Sequence, residues 1–167
     1  MTNRVFDNAR VWRLGSDVDT DALAPGAYMK HGLEVIGWHC LEAVRSDFAS
    51  SVKEGDVIVA GANFGIGSSR EQAAGVLRHL GLAAVIAPSY SGLYFRNAFN
   101  LGLLLLTCPE ADKIEEGERV GVTLDGDKPW VVRANGQRLA CAAIPDFLMD
   151  MVDAGGLLPL LKQRKSA

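Results

Sequence analysis

Asp56-Val57-Ile58-Val59-Ala60-Gly61-Ala62-Asn63-Phe64-Gly65-Ile66-Gly67-Ser68-Ser69-Arg70-Glu71 runs from an apolar segment through a glycine-rich loop into a helical stretch. The apolar part is short, β-branched and bounded by turn residues, as a buried strand is. The helix behind it is expected from about Ser69 to Leu80, with Gly81 placed as a C-cap glycine. A strand feeding a helix through such a loop is half of a βαβ unit. Unpaired N–H groups at a helix N-terminus carry positive partial charge, so an anion binds there readily. Ser68, Ser69 and Arg70 add two hydroxyls and a guanidinium at that point.

The alternation continues downstream. Ala83–Ala87 reads as a strand, Gly92–Asn100 as a helix and Leu103–Leu106 as another buried strand. Strands alternating with helices predict a parallel sheet. Glu118–Leu124, Pro129–Ala134 and Arg138–Ala142 read as shorter strands, with turn signals at Asp125-Gly126-Asp127 and a hairpin signal at Asn135-Gly136. Upstream, Arg4–Leu14 reads as a strand or short hairpin, and Gly15–Gly26 as a loop. Val35–Phe48 carries Ile36, Cys40, Leu41, Val44 and Phe48 at helical spacing. Ile144–Ala154 reads as a closing helix ended by Gly155-Gly156. The expectation is one α/β domain over residues 1–167, with parallel βαβ units and additional antiparallel strands. Its tail, about 160–167, is expected to be solvated and mobile.

The loop has alternative readings. Arg70 replaces the third glycine of Gly-x-Gly-x-x-Gly, so a dinucleotide fingerprint is incomplete. No Gly-Lys-Ser/Thr follows, and no Gly-x-Ser-x-Gly elbow is present. Ser68 or Ser69 could serve as a helix cap, with Glu71 or Gln72 completing a capping box. A second cluster, Asp17-Val18-Asp19-Thr20-Asp21, has carboxylates at alternate positions, as a calcium loop does. The glycine and glutamate such a loop requires are replaced by Ala22 and Tyr28. The plain alternative is an Asx-rich turn.

Hydrophobic residues make up 49% of the 167-residue chain and charged residues 22%, a globular balance with enough chain for one core. A net charge of −3, with no basic cluster outside Lys162-Gln163-Arg164-Lys165, argues against a nucleic-acid partner. Cys40, Cys108 and Cys141 are widely spaced and form no Cys-x-x-Cys, so no metal site is expected in this chain. An odd number of scattered thiols suits the cytoplasm. The first eight residues lack a signal-peptide core, and the Leu101–Leu106 run is too short to cross a membrane.

Taken in order, these segments resemble the small subunits of 3-isopropylmalate dehydratases, the equivalent of the aconitase swivel domain. The resemblance lies in Asp17-Val18-Asp19-Thr20-Asp21 with Pro25 and Tyr28-Met29-Lys30, and in the string Gly61–Glu71. It continues through Ala84–Tyr90 and Tyr94–Phe99 into Gly102-Leu103. Ile66 stands where many relatives carry Cys, and Gln72 where many carry His. The resemblance implies a single swivelling β/β/α domain of the aconitase C-terminal type, acting as the lid of a heteromeric hydro-lyase. A large partner subunit, in a heterodimer or heterotetramer, would carry the [4Fe–4S] cluster, whose iron acts as Lewis acid on the leaving hydroxyl.

The same resemblance assigns Ser68 as the base that takes a proton from carbon. Arg70 and Ser69 would hold a carboxylate, Thr20 and Lys30 would join in binding substrate, and Asp21 would orient neighbours or relay a proton. The substrate would be a small hydroxy-dicarboxylate, with 3-isopropylmalate of leucine biosynthesis in first place. Homoaconitate, citraconate and dimethylmaleate are the related choices, and a non-catalytic carboxylate-binding module is the choice from another class.

Overall fold

The computed structural model describes residues 2–166. In chain order the elements are β1 (Thr2–Arg13), α1 (Thr20–Leu23), a 3-10 segment (Gly26–His31), α2 (Gly32–His39), α3 (Phe48–Ser51), β2 (Val57–Val59) and α4 (Gln72–His79). They continue as β3 (Ala84–Ala87), α5 (Gly92–Asn100), β4 (Leu105–Thr107), a 3-10 turn (Ala111–Lys113), β5 (Arg119–Asp125), β6 (Lys128–Val132), β7 (Arg138–Ala140), α6 (Asp146–Ala154) and α7 (Leu157–Ser166).

The strands form one seven-stranded sheet in the order β4-β3-β2-β1-β5-β6-β7. β1 to β4 run parallel, with Val11 beside Val57, Val57 beside Ala84 and Val85 beside Leu105. β5, β6 and β7 add an antiparallel half. The parallel strands are covered on both faces: every residue of β2 and β3 is fully buried, which is why they read as unbroken apolar runs. The segment after β7 returns to β4, where the Ala142 N–H donates to Thr107 O at 2.8 Å. The sheet therefore curls until its two edges meet there. α2 packs on α4, α4 on α5, and α5 on α6 and α7.

β1 joins the two halves. Its last residues, Val11–Arg13, pair with β2, while residues 2–10 pair with β5 across two register shifts. Asn8 sits at φ +56° between them. Arg4–Leu14 is thus one long bulged strand and not a hairpin. Trp12 is buried at the join, edge-on to Phe48 at 5.2 Å, with its indole N–H donating to the buried Asp56 at 2.9 Å.

Several expected boundaries move for local reasons. The helix expected over Val35–Phe48 stops at His39, because Leu41 adopts φ +62° and its N–H bonds Ala22 O at 2.8 Å. Ile36, Cys40, Leu41 and Phe48 are nonetheless buried, while Val44 is 51% exposed. Within the expected loop Gly15–Gly26, Asp19 caps a single helical turn by accepting from the Ala22 N–H at 2.7 Å. The closing helix starts two residues later than expected, after Pro145. Gly155-Gly156 separates it from a further helix, α7, which contains most of the tail; residues 161–166 are exposed on it.

Candidate functional site

The carboxyl ends of β1, β2 and β3 deliver three loops to one place, the position at which open α/β sheets bind ligands. Beyond the strands, the β1 and β2 chains stay zipped together. Leu14 N–H bonds Val59 O, Gly61 N–H bonds Gly15 O, Asp17 N–H bonds Ala62 O, Gly65 N–H bonds Val18 O and Thr20 N–H bonds Ile66 O, all between 2.7 and 3.0 Å. The β3 exit adds Ser89, whose Oγ accepts from the Asn63 N–H at 2.9 Å. Gly65 holds φ +83° flat against Tyr94, where a Cβ would lie 2.2 Å from Cγ of that ring. Only glycine brings the loop this close to α5.

The zipper ends at Ser68. Its N–H donates to Thr20 Oγ1 at 3.1 Å, and the two hydroxyl oxygens are 3.3 Å apart. Ser68 and Ser69 are exposed. Neither caps a helix: α4 begins later than expected, at Gln72, and Glu71 before it makes no side-chain cap. Among the described residues, the N–H groups of Ser69, Arg70, Glu71 and Gln72 have no acceptor. Four open donors therefore follow Ser68 along the start of the helix. Asn97 of α5 holds this stretch from behind, its Nδ2 donating to Ser69 O at 3.3 Å.

Arg70 is anchored at one nitrogen. Its Nη1 donates to Asp21 Oδ1 at 3.1 Å and to Ala24 O at 2.9 Å. Its Nε and Nη2 have no partner among the described residues, so the edge that can grip a carboxylate with two parallel bonds is open. Asp21 also accepts from the Gly26 N–H at 3.0 Å. That backbone bond, and then the bond from Arg70, hold its carboxyl below the ordinary 3.8.

The Asp17–Asp21 cluster works as a set of turn ligands. Asp17 accepts from Asn63 Nδ2 at 3.0 Å, Asp19 caps α1, and Asp21 holds Arg70. No three His, Cys, Asp or Glu side chains come together as a metal site among the described residues, and all three cysteines are buried.

The structure thus brings Thr20, Asp21, Ser68, Ser69 and Arg70 together. Thr20 differs from the expected substrate contact in position: its side chain is 3% exposed and lies beneath Ser68. Lys30 stands apart on the 3-10 segment Gly26–His31, exposed and without an ion pair or hydrogen bond among the described residues. Beside it, Tyr28 stacks on His39 at 3.7 Å and Met29 is half-buried against the core. Next to the start of α4, a groove of about 300 Å³ is lined by Leu33, Glu71, Gln72, Gly75 and Leu101. Ser89 and Asn97 lie in the stretches Ala84–Tyr90 and Tyr94–Phe99 that carry the resemblance, but the sequence assigns neither a role; here they act as supports. Their only local signal is position, at a helix end and after a strand.

The chain is similar to known proteins along most of its length. The aconitase C-terminal domain family matches residues 42–111. The chain is 43% identical over 155 residues to 3-isopropylmalate dehydratase small subunit 1 of Archaeoglobus fulgidus, covering 92% of this chain and 95% of that one. It is 37% identical over 161 residues to the corresponding small subunit 1 of Thermotoga maritima, covering 94% and 95%. A crystal structure of 3-isopropylmalate dehydratase from Methanocaldococcus jannaschii superposes with a TM-score of 0.84 at 37% identity, over 99% of this chain and 96% of that one.

Proposed function

Since the chain belongs to the family of 3-isopropylmalate dehydratase small subunits, we propose that it is the lid-forming half of a two-subunit hydro-lyase of leucine biosynthesis. The reaction interconverts 2-isopropylmalate and 3-isopropylmalate by loss and return of water through an alkene. The observation that carries this reading is the convergence of Ser68, four open N–H donors and the free edge of Arg70 on one exposed surface.

A serine hydroxyl is a weak base in water. Oriented N–H dipoles and a fixed cation lower the cost of its alkoxide, and exclusion of water strengthens both. Ser68 takes the proton from the substrate carbon. Arg70 grips a carboxylate through Nε and Nη2, Ser69 adds a donor, and Asp21 fixes the guanidinium plane. Because the serines are exposed, water exclusion has to come from a partner surface. That partner is the large subunit, which carries the [4Fe–4S] cluster. The donor set of this chain does not fit such a cluster, since its cysteines are buried and no ligand group assembles among the described residues. We place the enzyme in the cytoplasm, where unpaired thiols stay reduced.

Lys30 faces the variable part of the substrate. With Met29 and Leu33 half-buried on either side of it, the lysine stem covers an alkyl group while the ammonium stays in water. A second reading, a homoaconitate-type enzyme, draws on the same unpaired ammonium, which could meet an additional carboxylate. The test is to assay the reconstituted pair on isopropylmalate, homoaconitate, citraconate and dimethylmaleate. A higher kcat/KM for isopropylmalate supports the first reading, and a higher value for the tricarboxylate replaces it with the second.

A further inference from the structure

Thr20 and Asp56 are the buried polar side chains of the core region. Asp56 is matched by the Trp12 indole N–H and the Lys53 N–H, at 2.9 Å each. Among the described residues the Thr20 hydroxyl is matched only by Ser68, where either hydroxyl could be the donor, and a proton count distinguishes the two arrangements. A hydroxyl has one proton to donate and two lone pairs to accept with. The Ser68 N–H occupies one lone pair of Thr20 Oγ1. Among the described residues, the one acceptor within reach of the Thr20 proton is Ser68 Oγ, 3.3 Å away. A buried hydroxyl that can donate does so. The bond therefore runs from Thr20 to Ser68, and Ser68 keeps its own proton and remaining lone pair on the exposed side.

Two further features keep Thr20 there. Its N–H is tied to Ile66 O at 2.8 Å. At Gly67, with φ +113°, a Cβ would stand 2.8 Å from Thr20 Oγ1, so a bare backbone is needed for the hydroxyl to reach past.

We infer that Thr20 is a positioning residue for the reaction, donating a hydrogen bond from beneath to Ser68 Oγ and so stabilising its deprotonated form. This rests on the reading of Ser68 as the base. The donor stays in place in both protonation states of Ser68, and it strengthens when the oxygen becomes an anion, as charge-assisted bonds do. Substrate is met by Ser68 and not by Thr20.

The experiment uses the reconstituted two-subunit enzyme with 3-isopropylmalate. It measures kcat and KM against pH, and exchange of the substrate carbon-bound hydrogen with D2O. Thr20→Ser keeps the hydroxyl and is expected within about 3-fold of the wild type. Thr20→Val should lower kcat and the exchange rate by about 10- to 100-fold, with KM changed less than about 2-fold, because the lost bond acts in the transition state. The ascending limb of its pH profile should move to higher pH. In a Ser68→Ala background, Thr20→Val should have no further effect.

Normal kcat in Thr20→Val beside an inactive Ser68→Ala would overturn the inference and leave the role of Ser68 standing. A raised KM at unchanged kcat would overturn it by placing Thr20 on the substrate. Near-normal Ser68→Ala would overturn the reading of Ser68 itself. If Thr20→Val does not assemble, Thr20→Ala is compared with Thr20→Ser, which differ only by the oxygen. Equal kcat in that pair overturns the inference, and a drop of about 10-fold or more supports it.

Discussion

Arg70 commits Nη1 to the fold and leaves Nε and Nη2 open; on the proposed reading that open edge holds the substrate carboxylate, and this division sets what substitution does. A lysine can reach Asp21 or a carboxylate, but it cannot present two parallel bonds while anchored by a third. Arg70→Lys should therefore raise KM for the dicarboxylate by about 10-fold or more, with the smaller change in kcat. Ser68→Ala should leave assembly intact and lower kcat by at least about 100-fold, the usual scale for a lost general base. Steady-state kinetics of the two variants check both expectations. Asp21 makes a separate, pH-dependent statement. Its folded pKa lies below its ordinary 3.8, so its ionised form stabilises the native state above that value, and the gain is lost as pH falls through the lowered one. Because the side chain is 70% exposed, the pair contributes less than about 1 kcal/mol. Asp21→Asn should lower the urea midpoint slightly at pH 7, and the two midpoints should converge as pH drops below 3.8. At Lys30, Lys30→Met should change the ratio of kcat/KM values for isopropylmalate and homoaconitate. An unchanged ratio would remove Lys30 from specificity.

Elements with a strong local pattern were legible in the sequence, and those shaped by distant partners were not. α5 occupies the expected Gly92–Asn100, and β2 and β3 lie inside their expected apolar runs, because burial on both faces leaves a direct mark on composition. The Asn135-Gly136 hairpin joins β6 to β7 where expected, since the turn chemistry is local. α2 ends early through a tertiary bond from Leu41 to Ala22, which no periodicity around Val35–Phe48 reveals. α7 escaped because Gly155-Gly156 and Pro159 look like terminators; a proline in the first turn of a helix is tolerated. The glycine loop does lead from β2 towards a helix as expected, but the helix was expected from about Ser69 and begins at Gln72, so neither serine lies within it. Ser68 and Arg70 are tied to Thr20, Asp21 and Ala24, and these bonds keep them in the loop. The loop's closeness to α5 carries its own expectation. Gly65→Ala forces a Cβ into the Tyr94 ring in a left-handed backbone conformation, and should cost about 2–4 kcal/mol from overpacking and strain together. A clear fall in Tm, with the loss larger than for an exposed Gly92→Ala, checks it.

At the scale of the whole molecule, the sheet does two tasks. Its parallel half presents the carboxyl ends of β1, β2 and β3 on one side, and its antiparallel half curls back until Ala142 meets Thr107. β1 belongs to both halves, so the loop that leaves it at Leu14 is anchored from two directions. This arrangement sets Thr20 against Ser68 across 48 residues of sequence. Their types and order could be read from the chain; their contact depends on register between distant strands, which is set by the global fold. The finished surface is half a site. It offers the exposed Ser68 hydroxyl, the open edge of Arg70 and open N–H donors, which on the proposed reading serve as base, carboxylate grip and anion site. Turnover therefore requires the large subunit to close over it. The most direct measurement is dehydration of 3-isopropylmalate and hydration of the alkene, followed by the ultraviolet absorbance of the alkene, with this chain alone, the cluster-bearing large subunit alone, and the two combined. The expected result is turnover only in the combined sample, lost again when Ser68→Ala replaces the wild type. Turnover by this chain alone, or a combined sample that binds isopropylmalate without converting it, would contradict the two-subunit reading.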